Sequence, residues 1–523
     1  MVRGILNSGA RRRSAGLTNA ALSTGGFMTT VTDAAQAARA KALAWIGQGT
    51  KRLLIGGRWV DAASGKTFET INPATEQPLC RIAEADGADV DAAVIAARNA
   101  FDAPSWSALS PHARTRALLK IADAIEAHVD ELAAIESLDN GMPLWFARAA
   151  AGATVDIVRY YAGWCSKVLG TTIPSDGSTL IYTLREPLGV CGQIIPWNVP
   201  ILMAAIKIAN ALCCGNTVIL KPAELACLTS IRLAELIQET DLPPGVVNVL
   251  PGFGATAGAA LAQHPGVDKI AFTGSTAVGK QITRDATLNL KKVTLELGGK
   301  APNVVFADAD IEKAVQAAVK TFCGNSGQVC SAGTRLFVQE SIHEQVAERV
   351  AQVAAEWKAG DPFAADTKIG PLISATQRER VQSYIAVGRE GGATLRLGGQ
   401  PWRGTGYFVE PTIFDNVRNG MRIAQEEIFG PVLSIIPFRD EDDAVLQAND
   451  TTYGLSAAVW TRDVARAHKV VRALKAGRLW INTFGESDPA MAFGGYKQSG
   501  WGREFGQESI DAYTQTKSIM LRM

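Results

Sequence analysis

The sequence predicts an α/β protein with two domains, in each of which helices cover a mainly parallel sheet. The chain has 523 residues, enough for about two to four domains. Hydrophobic residues make up 47% of it and charged residues 20%, which is typical of folded globular proteins. In the middle of the chain, short apolar runs alternate with segments of helical periodicity, and that alternation is typical of parallel sheets wound with helices.

The first half is expected to begin with a β-hairpin near Leu54, where short apolar runs alternate with Gly, Asn-Pro and Asp. A helix follows at Asp89, and apolar residues at helical spacing predict further helix from His112 to Leu138. Strands are then expected at VCGQIIP, TVILKP, GVVNVL, KIAFTG and KVTLELGG, with helices near Leu202, Thr229 and Ala257 among the connections.

A second cycle of strands and helices begins at NVVFADADIEKAVQAAVK, where Asp308 is expected to cap a helix. The strand RLFVQ and a long helix near residues 343–359 follow, and strand and helix units continue to Trp480. Two α/β domains are therefore expected, with no internal repeat or low-complexity linker between them.

The first 50 residues differ in composition from the rest of the chain. Four arginines precede Asp33, which is the first acidic residue, and such a composition is typical of an organellar transit peptide. A translational start at Met28 is the alternative that we favour. We expect residues 1–50 to be disordered or wrongly included, and we leave them out of the predicted fold. The protein is expected in the cytoplasm, or in an organellar matrix if residues 1–27 are a real transit peptide.

Charge and cysteine spacing disfavour several classes of protein. The 52 basic and 51 acidic residues give a net charge of +1, and no basic stripe suggests a nucleic-acid partner. The eight cysteines include no C-x-x-C pair, which disfavours a metal site and fits a reducing compartment. The apolar run of residues 201–220 is interrupted by Lys207, Asn210 and Asn216, so no membrane span is expected.

A phosphate-binding turn is expected where the strand KIAFT runs into Gly274, Ser275 and, four residues later, Gly279. Small residues at a helix N-terminus leave backbone N–H groups free to bind a phosphate. GFGATAG, around Gly254, has a similar composition. Either segment could also be an ordinary glycine turn, because neither contains the complete Rossmann or P-loop pattern.

Three residues have side chains that suit acyl chemistry. Cys330 lies among glycines in FCGNSGQVC, which would leave its sulfur accessible as a nucleophile, whereas most buried cysteines act only as small hydrophobic residues. Glu296 stands among apolar residues in VTLELGGK, where burial would raise its pKa and suit a general base. Asn198 follows a strand and a proline-fixed turn, and its amide could donate to an oxyanion or simply belong to the turn.

Lys221 and Glu224, in VILKPAE, come directly after another apolar strand. Ligands of open α/β sheets bind at the carboxyl ends of the strands, so these two polar side chains are candidates for ligand contacts.

Taken together, these segments resemble the aldehyde dehydrogenase superfamily, from about Leu54 to the C-terminus. Several independent motifs occur in the order and spacing of that family. They are IIPWN at residues 194–198, KPAE at 221–224, FTGSTAVG at 272–279, LELGGK at 295–300, GQVC at 327–330, EEIFGPV at 426–432 and FGGYKQSGWGRE at 493–504.

The resemblance implies that Cys330 attacks the aldehyde to form a thiohemiacetal, with Asn198 and the Cys330 backbone N–H as the oxyanion hole. After hydride transfer to the nicotinamide, Glu296 would activate the water that hydrolyses the thioester. A coenzyme A-acylating semialdehyde dehydrogenase is the alternative, although members of that class typically lack the carboxylate at Glu296. A cysteine hydrolase would need a histidine partner, and none of the five histidines stands in a recognisable context.

The resemblance also implies a dinucleotide site. Lys221 and Glu224 would hold the adenosine ribose, Ser275 would meet the pyrophosphate, and Glu427 with Phe429 would position the nicotinamide ribose. The carboxylate of Glu224 favours NAD because it would repel the extra phosphate of NADP. The remaining residues expected to contact the cofactor are Ile195, Pro196, Trp197, Gly254, Gly274, Gly279, Leu297 and Gly298.

The family fold implies two Rossmann-type domains and a small β unit for assembly into a homodimer or homotetramer. The cofactor domain would comprise residues 51–166 and 186–297, the catalytic domain residues 298–497, and the oligomerisation unit a hairpin at 167–185 with the tail at 505–523. The tail TQTKSIMLRM is expected to form a strand that pairs with another subunit.

The substrate tunnel is expected to be wide. At positions where many close relatives carry aromatic residues, this chain has Val199, Ile206, Gly324 and Ser487, and it keeps only Met203 and Phe493 as large apolar groups. Smaller side chains would leave volume for a bulky aromatic or branched aldehyde, unless neighbouring loops fill it. Glu486 and Asp488 near the expected tunnel mouth disfavour acidic semialdehydes.

Overall fold

The computed structural model describes residues 26–523, with side chains from Asp33 onward. The expectations for residues 1–25 lie outside the described part of the chain. Two large sheets dominate the architecture, and the first has eight strands. They are β1 (Leu53–Ile55), β2 (Arg58–Val60), β7 (Val190–Ile194), β8 (Thr217–Lys221), β9 (Val247–Val249), β10 (Lys269–Thr273), β11 (Lys292–Glu296) and β19 (Gly500–Trp501).

The strand order of this sheet is β19-β11-β10-β7-β8-β9-β1-β2. Strands β7 to β11 are mutually parallel, and they follow hydrophobic runs that are buried along most of their length. The chain moves outward from β7 through β8 and β9 and then returns to the other side of β7 as β10. This reversal creates the crevice in which doubly wound sheets bind ligands.

The second sheet has seven strands in the order β14-β15-β16-β13-β12-β17-β18. All neighbouring pairs are parallel except β14 with β15. The strands are β12 (Pro302–Val305), β13 (Arg335–Gln339), β14 (Thr394–Leu397), β15 (Thr412–Asp415), β16 (Val432–Phe438), β17 (Ser456–Trp460) and β18 (Arg478–Ile481). The predicted pair of α/β domains is therefore confirmed.

Two smaller sheets complete the strands. One is the antiparallel pair β3 (Thr67–Asn72) and β4 (Gln77–Ala83), and the other contains β5 (Thr172–Ile173), β6 (Thr179–Pro187) and β20 (Thr514–Arg522). Strand β20 pairs along its whole length with β6 of the same chain, and the expectation that the tail also pairs with another subunit stays a prediction. One edge of β20 carries no partner within the described residues.

Helices cover both faces of the large sheets. They are α1 (Gly26–Ile46), α2 (Gly87–Asp102), α3 (Pro104–Ser107), α4 (Pro111–Ala127), α5 (Val129–Asn140), α6 (Leu144–Ala162), α7 (Pro200–Cys213), α8 (Leu228–Gln238), α9 (Ala259–Gln263), α10 (Thr276–Ala286), α11 (Ile311–Cys323), α12 (His343–Ala355), α13 (Ala375–Glu390), α14 (Arg422–Gln425), α15 (Glu441–Asn449), α16 (Val464–Ala473) and α17 (Gly506–Asp511). In the described part of the chain, none of these helices is long and apolar enough to cross a membrane.

One helix cap and one helical stretch differ from the sequence-based expectations. Asp310, not Asp308, caps α11, because its carboxylate accepts a hydrogen bond from the backbone of Lys313. Asp308 instead accepts hydrogen bonds from Thr461 and from the backbone of Arg462. The single helix expected from His112 to Leu138 is two helices, α4 and α5, because the backbone leaves helical geometry at His128.

The N-terminal segment also needs correction, because residues 26–46 form α1 and belong to the fold. Helix α1 packs against α5, and its buried side chains recur at helical spacing on one face: Ala35, Ala38, Ala42, Trp45 and Ile46. The Trp45 indole donates a hydrogen bond to Glu235 at 2.8 Å. The Lys51 ammonium lies 3.8 Å from the centre of the Trp45 ring. The low acidic content of this region misled the sequence analysis.

We expect Trp45→Ala to lower the free energy of unfolding by about 3–5 kcal/mol, because it removes a buried aromatic side chain and its hydrogen bond. Leu43→Ala on the exposed face of the same helix should change it by less than about 0.5 kcal/mol. Urea denaturation followed by tryptophan fluorescence and circular dichroism measures both variants. Equal denaturation midpoints for the two variants would show that α1 adds nothing to the stability of the fold.

Candidate active site

Cys330 follows a loop whose backbone is held in an uncommon conformation. Asn325, Ser326 and Gly327 have φ values of 47°, 56° and 72°, and three consecutive left-handed residues are costly for a free chain. A side chain at Gly327 would overlap the backbone of Gly430, with its Cβ 2.2 Å from the carbonyl oxygen, so only glycine fits there. The glycine content around the cysteine therefore reflects backbone geometry as well as access.

Hydrogen bonds to surrounding segments keep this loop in place. Ser326 donates to the carbonyl of Gly370 at 2.7 Å, and the side-chain oxygen of Gln328 accepts from the backbone N–H of Ile373 at 3.0 Å. These contacts are buried, so breaking them would leave polar groups unsatisfied. The loop is consequently a fixed support for the residue that follows it.

Asn198 lies in the turn between β7 and α7 and reaches the nucleophile loop. Its side-chain amide donates to the backbone carbonyl of Gln328 at 2.9 Å. The backbone carbonyl of Asn198 accepts from the side-chain amide of Asn325 at 2.7 Å. An amide group has two N–H donors, so one remains for a ligand oxygen. These contacts join the carboxyl end of the first sheet to the segment that carries Cys330.

Glu296 ends β11 and is almost completely buried, with neither carboxyl oxygen hydrogen-bonded. Burial raises the pKa of Glu296 well above its usual value, and the nearby Glu504 carboxylate raises it further. Lys207 and Arg503 act in the opposite direction on the same pKa. The raised pKa favours the neutral carboxyl group, and the two nearby cations favour its ionised form.

A buried ion pair beside Glu296 was missed by the sequence analysis. The Lys207 ammonium on α7 donates to the carboxylate of Glu504, and both side chains are almost inaccessible to solvent. The signals were present in the sequence: Lys207 interrupts an apolar run, and Glu504 ends the motif FGGYKQSGWGRE. Their meeting across 297 positions could only be seen in the folded chain.

Cys330 is partly exposed as a residue, whereas six of the other seven cysteines are buried. Its pKa is raised to about 12, first by burial and then by the carboxyl groups of Glu427 and Glu296. None of the groups responsible for this shift is a histidine. The imidazole of His343 lies 2.9 Å from Asp415 instead, so the arrangement gives no support to a cysteine hydrolase.

On the other side of the crevice, Lys221 and Glu224 form a cluster at the carboxyl end of β8. The buried Lys221 ammonium donates to the Glu224 carboxylate at 3.3 Å. Ser275 caps α10 by accepting from the backbone of Val278, as expected for a residue between a strand and a helix N-terminus. The predicted phosphate turn and the predicted ribose contacts thus lie at the carboxyl ends of β10 and β8, the two parallel strands on either side of β7.

Gly279 and Gly298 allow close packing around this crevice. A Cβ at Gly279 would lie 2.7 Å from the side chain of Leu297, and one at Gly298 would lie 2.3 Å from the carboxylate of Glu427. The Glu427 carboxylate also accepts from the backbone of Gly299 at 3.0 Å. A Cβ at Gly254 would meet nothing within 4 Å, so the space there is open. The backbone N–H of Gly274 donates to the backbone carbonyl of Glu296.

Trp197 of the IPWN segment packs against Phe429. The rings of Trp197 and Phe429 are 5.3 Å apart and nearly perpendicular, and Phe429 has a φ of 61°. Asn140 of α5 fixes the segment by donating to the Trp197 carbonyl at 2.6 Å. Ile195 is buried and Pro196 partly exposed, so this turn has one face in the core and one face open.

The residues expected in the substrate tunnel divide into two groups. Val199 and Ile206 belong to the apolar core and are 8% and 1% exposed, whereas Met203 and Phe493 are only partly buried at its edge. A Cβ at Gly324 would meet only the ring of Phe146, at 3.8 Å, so part of the predicted space is filled by an aromatic residue of α6 that the sequence analysis missed. Ser487 is exposed and accepts a hydrogen bond from Arg478.

The profile of the Aldehyde dehydrogenase family matches residues 59–519. The chain is 50% identical to aldehyde dehydrogenase family 2 member B4, mitochondrial, from Arabidopsis thaliana, over 90% of its own length and 88% of that protein. It is also similar to an aldehyde dehydrogenase from Bacillus cereus solved as an NAD+ complex, with 46% identity, a TM-score of 0.91 and coverage of 92% and 98% of the two chains. The chain belongs to the aldehyde dehydrogenase family.

Another similar aldehyde dehydrogenase structure is that of a P. syringae indole-3-acetaldehyde dehydrogenase mutant in complex with NAD+ and IAA. The identity is 42%, the TM-score 0.90, and the match covers 93% of this chain and 99% of that one. The family, the fold and the enzyme class predicted from the motifs are therefore confirmed. The roles of the individual site residues remain predictions.

In this aldehyde dehydrogenase, alkylation of Cys330 by iodoacetamide without cofactor should accelerate about tenfold for each pH unit between pH 7 and 10, because only the thiolate reacts and its pKa is about 12. Mass spectrometry of the Cys330 peptide follows the reaction without interference from other cysteines. Glu427→Gln removes a carboxylate that raises this pKa and should increase the rate at pH 8. A rate that levels off below pH 9 would contradict the raised pKa.

Proposed function

We propose that this enzyme oxidises bulky aromatic or branched aldehydes to carboxylic acids through a thiohemiacetal and a thioester on Cys330. Its general activity is NAD-dependent aldehyde oxidation. The observation that carries the mechanism is the joint placement of a partly exposed cysteine, an amide anchored to the segment before it, and a buried carboxyl group without hydrogen bonds. Acyl transfer needs a nucleophile, an oxyanion donor and a proton acceptor, and these three groups supply them.

The cofactor is NAD, and the residues at the crevice fit it. Lys221 presents a buried ammonium and Glu224 a partly exposed carboxylate, which suit ribose hydroxyl groups, and the N-terminus of α10 presents backbone donors to a phosphate. Glu427 and Phe429 would hold the nicotinamide ribose. Bound NAD supplies the hydride acceptor and a positive charge that favours ionisation of a nearby thiol.

In the first half of the reaction, the Cys330 sulfur forms a bond with the aldehyde carbon. The carbonyl oxygen becomes negative and accepts hydrogen bonds from Asn198 and the Cys330 backbone. Hydride loss from the same carbon then leaves an acyl group on the sulfur. The rigid loop of residues 325–327 keeps the sulfur in position throughout.

In the second half, Glu296 removes a proton from the water that attacks the thioester, and the acid is released with the thiol restored. Its buried carboxyl must first ionise, and Lys207 and Arg503 favour that state. This use of water, and not coenzyme A, as the acyl acceptor follows from the presence of a carboxyl group at position 296. The acylating alternative has no comparable support in the site.

Gly324 and Ser487 support the bulky-substrate proposal, since neither position carries a large side chain and Ser487 is exposed. The indole-3-acetaldehyde dehydrogenase among the similar structures is named for an aldehyde with a fused aromatic ring. Val199 and Ile206 support it less than expected, because both are buried in the core.

We also propose a homo-oligomer located in the cytoplasm. Strand β20 has an edge without a partner in the described chain, and such an edge readily pairs with another copy. All eight cysteines are free thiols in the structure, which suits a reducing compartment.

Glu296→Gln should produce a burst of about one NADH per active site followed by turnover slowed about 10²-fold, because thioester hydrolysis loses its proton acceptor while the nucleophile remains. Stopped-flow absorbance at the NADH band measures both phases. Cys330→Ala is the control and should give neither burst nor turnover. A variant without a burst, whose hydride transfer is itself slow, would assign Glu296 to activation of the thiol instead.

The enzyme should have a higher kcat/KM for phenylacetaldehyde than for acetaldehyde. A ring that buries roughly 100 Å² of apolar surface at about 25 cal/mol/Å² gains about 2.5 kcal/mol, between one and two powers of ten. Hexanal and succinic semialdehyde complete the panel under the same conditions. A clear preference for acetaldehyde or for the charged aldehyde would refute the proposal.

A further inference from the structure

Arg478, the first residue of β18, lies close to the nucleophile loop although no motif includes it. In the parallel register it is the partner of Ser456 on β17. The Ser456 hydroxyl donates to the carbonyl of Ser331, which directly follows Cys330. Side chains of register partners leave a sheet on the same face, so Arg478 extends on the side of the sheet that carries the nucleophile loop.

The guanidinium of Arg478 lies near Phe493 and Ser487, two residues expected in the substrate tunnel. Its central carbon lies 5.6 Å from the ring centres of both Trp480 and Phe493. One terminal nitrogen, Nη2, donates to the Ser487 hydroxyl at 3.3 Å. The side chain is only 3% exposed, so this cation has left bulk water.

The guanidinium of Arg478 has five N–H groups, but within the described residues it makes one hydrogen bond, from Nη2 to Ser487, so Nε and Nη1 both lack a partner. Nε of Arg478 is fully buried and makes no hydrogen bond, and within the described residues no carboxylate lies within 4 Å of the guanidinium. Burial lowers the pKa of Arg478. The carboxylate of Asp488 acts in the opposite direction, because it favours the charged form of the guanidinium. An unpaired buried donor on a cation is costly unless another molecule completes it.

Arg335, on β13, shows how the same fold satisfies a buried arginine that has a purely structural role. Its Nε donates to the carbonyl of Lys300, and its terminal nitrogens donate to Asn419 and to the carbonyl of Ala448. All three nitrogens of Arg335 therefore have partners inside the chain. Arg478 differs in keeping a free donor next to Phe493 and Ser487.

We propose that Arg478 determines specificity by donating a hydrogen bond from its terminal nitrogen Nη1 to an uncharged oxygen on the part of the substrate remote from the aldehyde. This inference rests on the proposed function and narrows its substrate class to bulky aldehydes that carry an ether, hydroxyl or carbonyl oxygen. An uncharged acceptor is favoured over a carboxylate because Glu486 and Asp488 already place two negative charges on the adjoining loop.

The test compares substrates of equal shape that differ in the acceptor. The pair is methoxyphenylacetaldehyde and ethylphenylacetaldehyde, each substituted at ring position 3 or 4, with carboxyphenylacetaldehyde as the charged member. The wild-type enzyme should have a kcat/KM about tenfold higher for the methoxy than for the ethyl compound at one of the two positions, since a site built to donate a hydrogen bond discriminates against a substrate without an acceptor.

Arg478→Met should reduce this methoxy-to-ethyl ratio to about one, and Arg478→Lys should reduce it partially because an ammonium cannot reproduce the planar geometry of the guanidinium. The ratio does not depend on the fraction of folded enzyme, so partial misfolding of a variant leaves the comparison valid. Arg472→Met, which changes an exposed arginine on α16, is the matched control and should keep the wild-type ratio.

A wild-type ratio near one at both ring positions overturns the proposal even if no variant can be purified. An unchanged ratio in Arg478→Met also overturns it, and the highest kcat/KM for the carboxy compound would refute the uncharged acceptor. Wild-type enzyme that oxidises acetaldehyde but none of the ring compounds would instead refute the proposed bulky substrate, so the two failures are distinguishable.

Discussion

The hydrogen bonds between Asn198 and the loop before Cys330 connect the two halves of the active site. Asn198 belongs to the turn after β7 in the first sheet, whereas Asn325 and Gln328 belong to the segment between α11 and β13 in the second. The loop has three consecutive left-handed residues, and each such non-glycine residue costs about 1–3 kcal/mol when it is not supported. The support therefore comes from the same contacts that fix Asn198, the proposed oxyanion donor, to the segment before Cys330.

Burial of charge is the second constraint on this site. Glu296 and the ion pair of Lys207 and Glu504 are all withdrawn from water. A carboxyl group in such a place holds its proton until a nearby cation or the reaction itself favours release, which suits a base that must act only after hydride transfer. The same environment raises the pKa of Cys330, so the thiol needs a positive charge nearby to become reactive.

The C-terminal segment links this chemistry to the small three-stranded sheet. Glu504 exchanges backbone hydrogen bonds with Phe493, and Phe505 then adopts a φ of 60° while donating to the Tyr161 hydroxyl. Nine residues further on, β20 begins its pairing with β6. Any change in how the tail is held would act on Glu504 through this short connection.

The sequence by itself determined the α/β class, most strands of the two sheets and the candidates Cys330, Glu296 and Asn198, because hydrophobic periodicity and motif spacing are local properties of the chain. It misjudged α1, whose stability comes from packing on α5, and it did not specify β6 as a partner of the tail, because a strand pattern does not name the strand it pairs with. Only the tertiary structure decided that Lys207 meets Glu504, that Phe146 faces Gly324, and that Arg478 keeps an unpaired donor. Those contacts join residues far apart in the chain, and their energies depend on burial that exists only after folding.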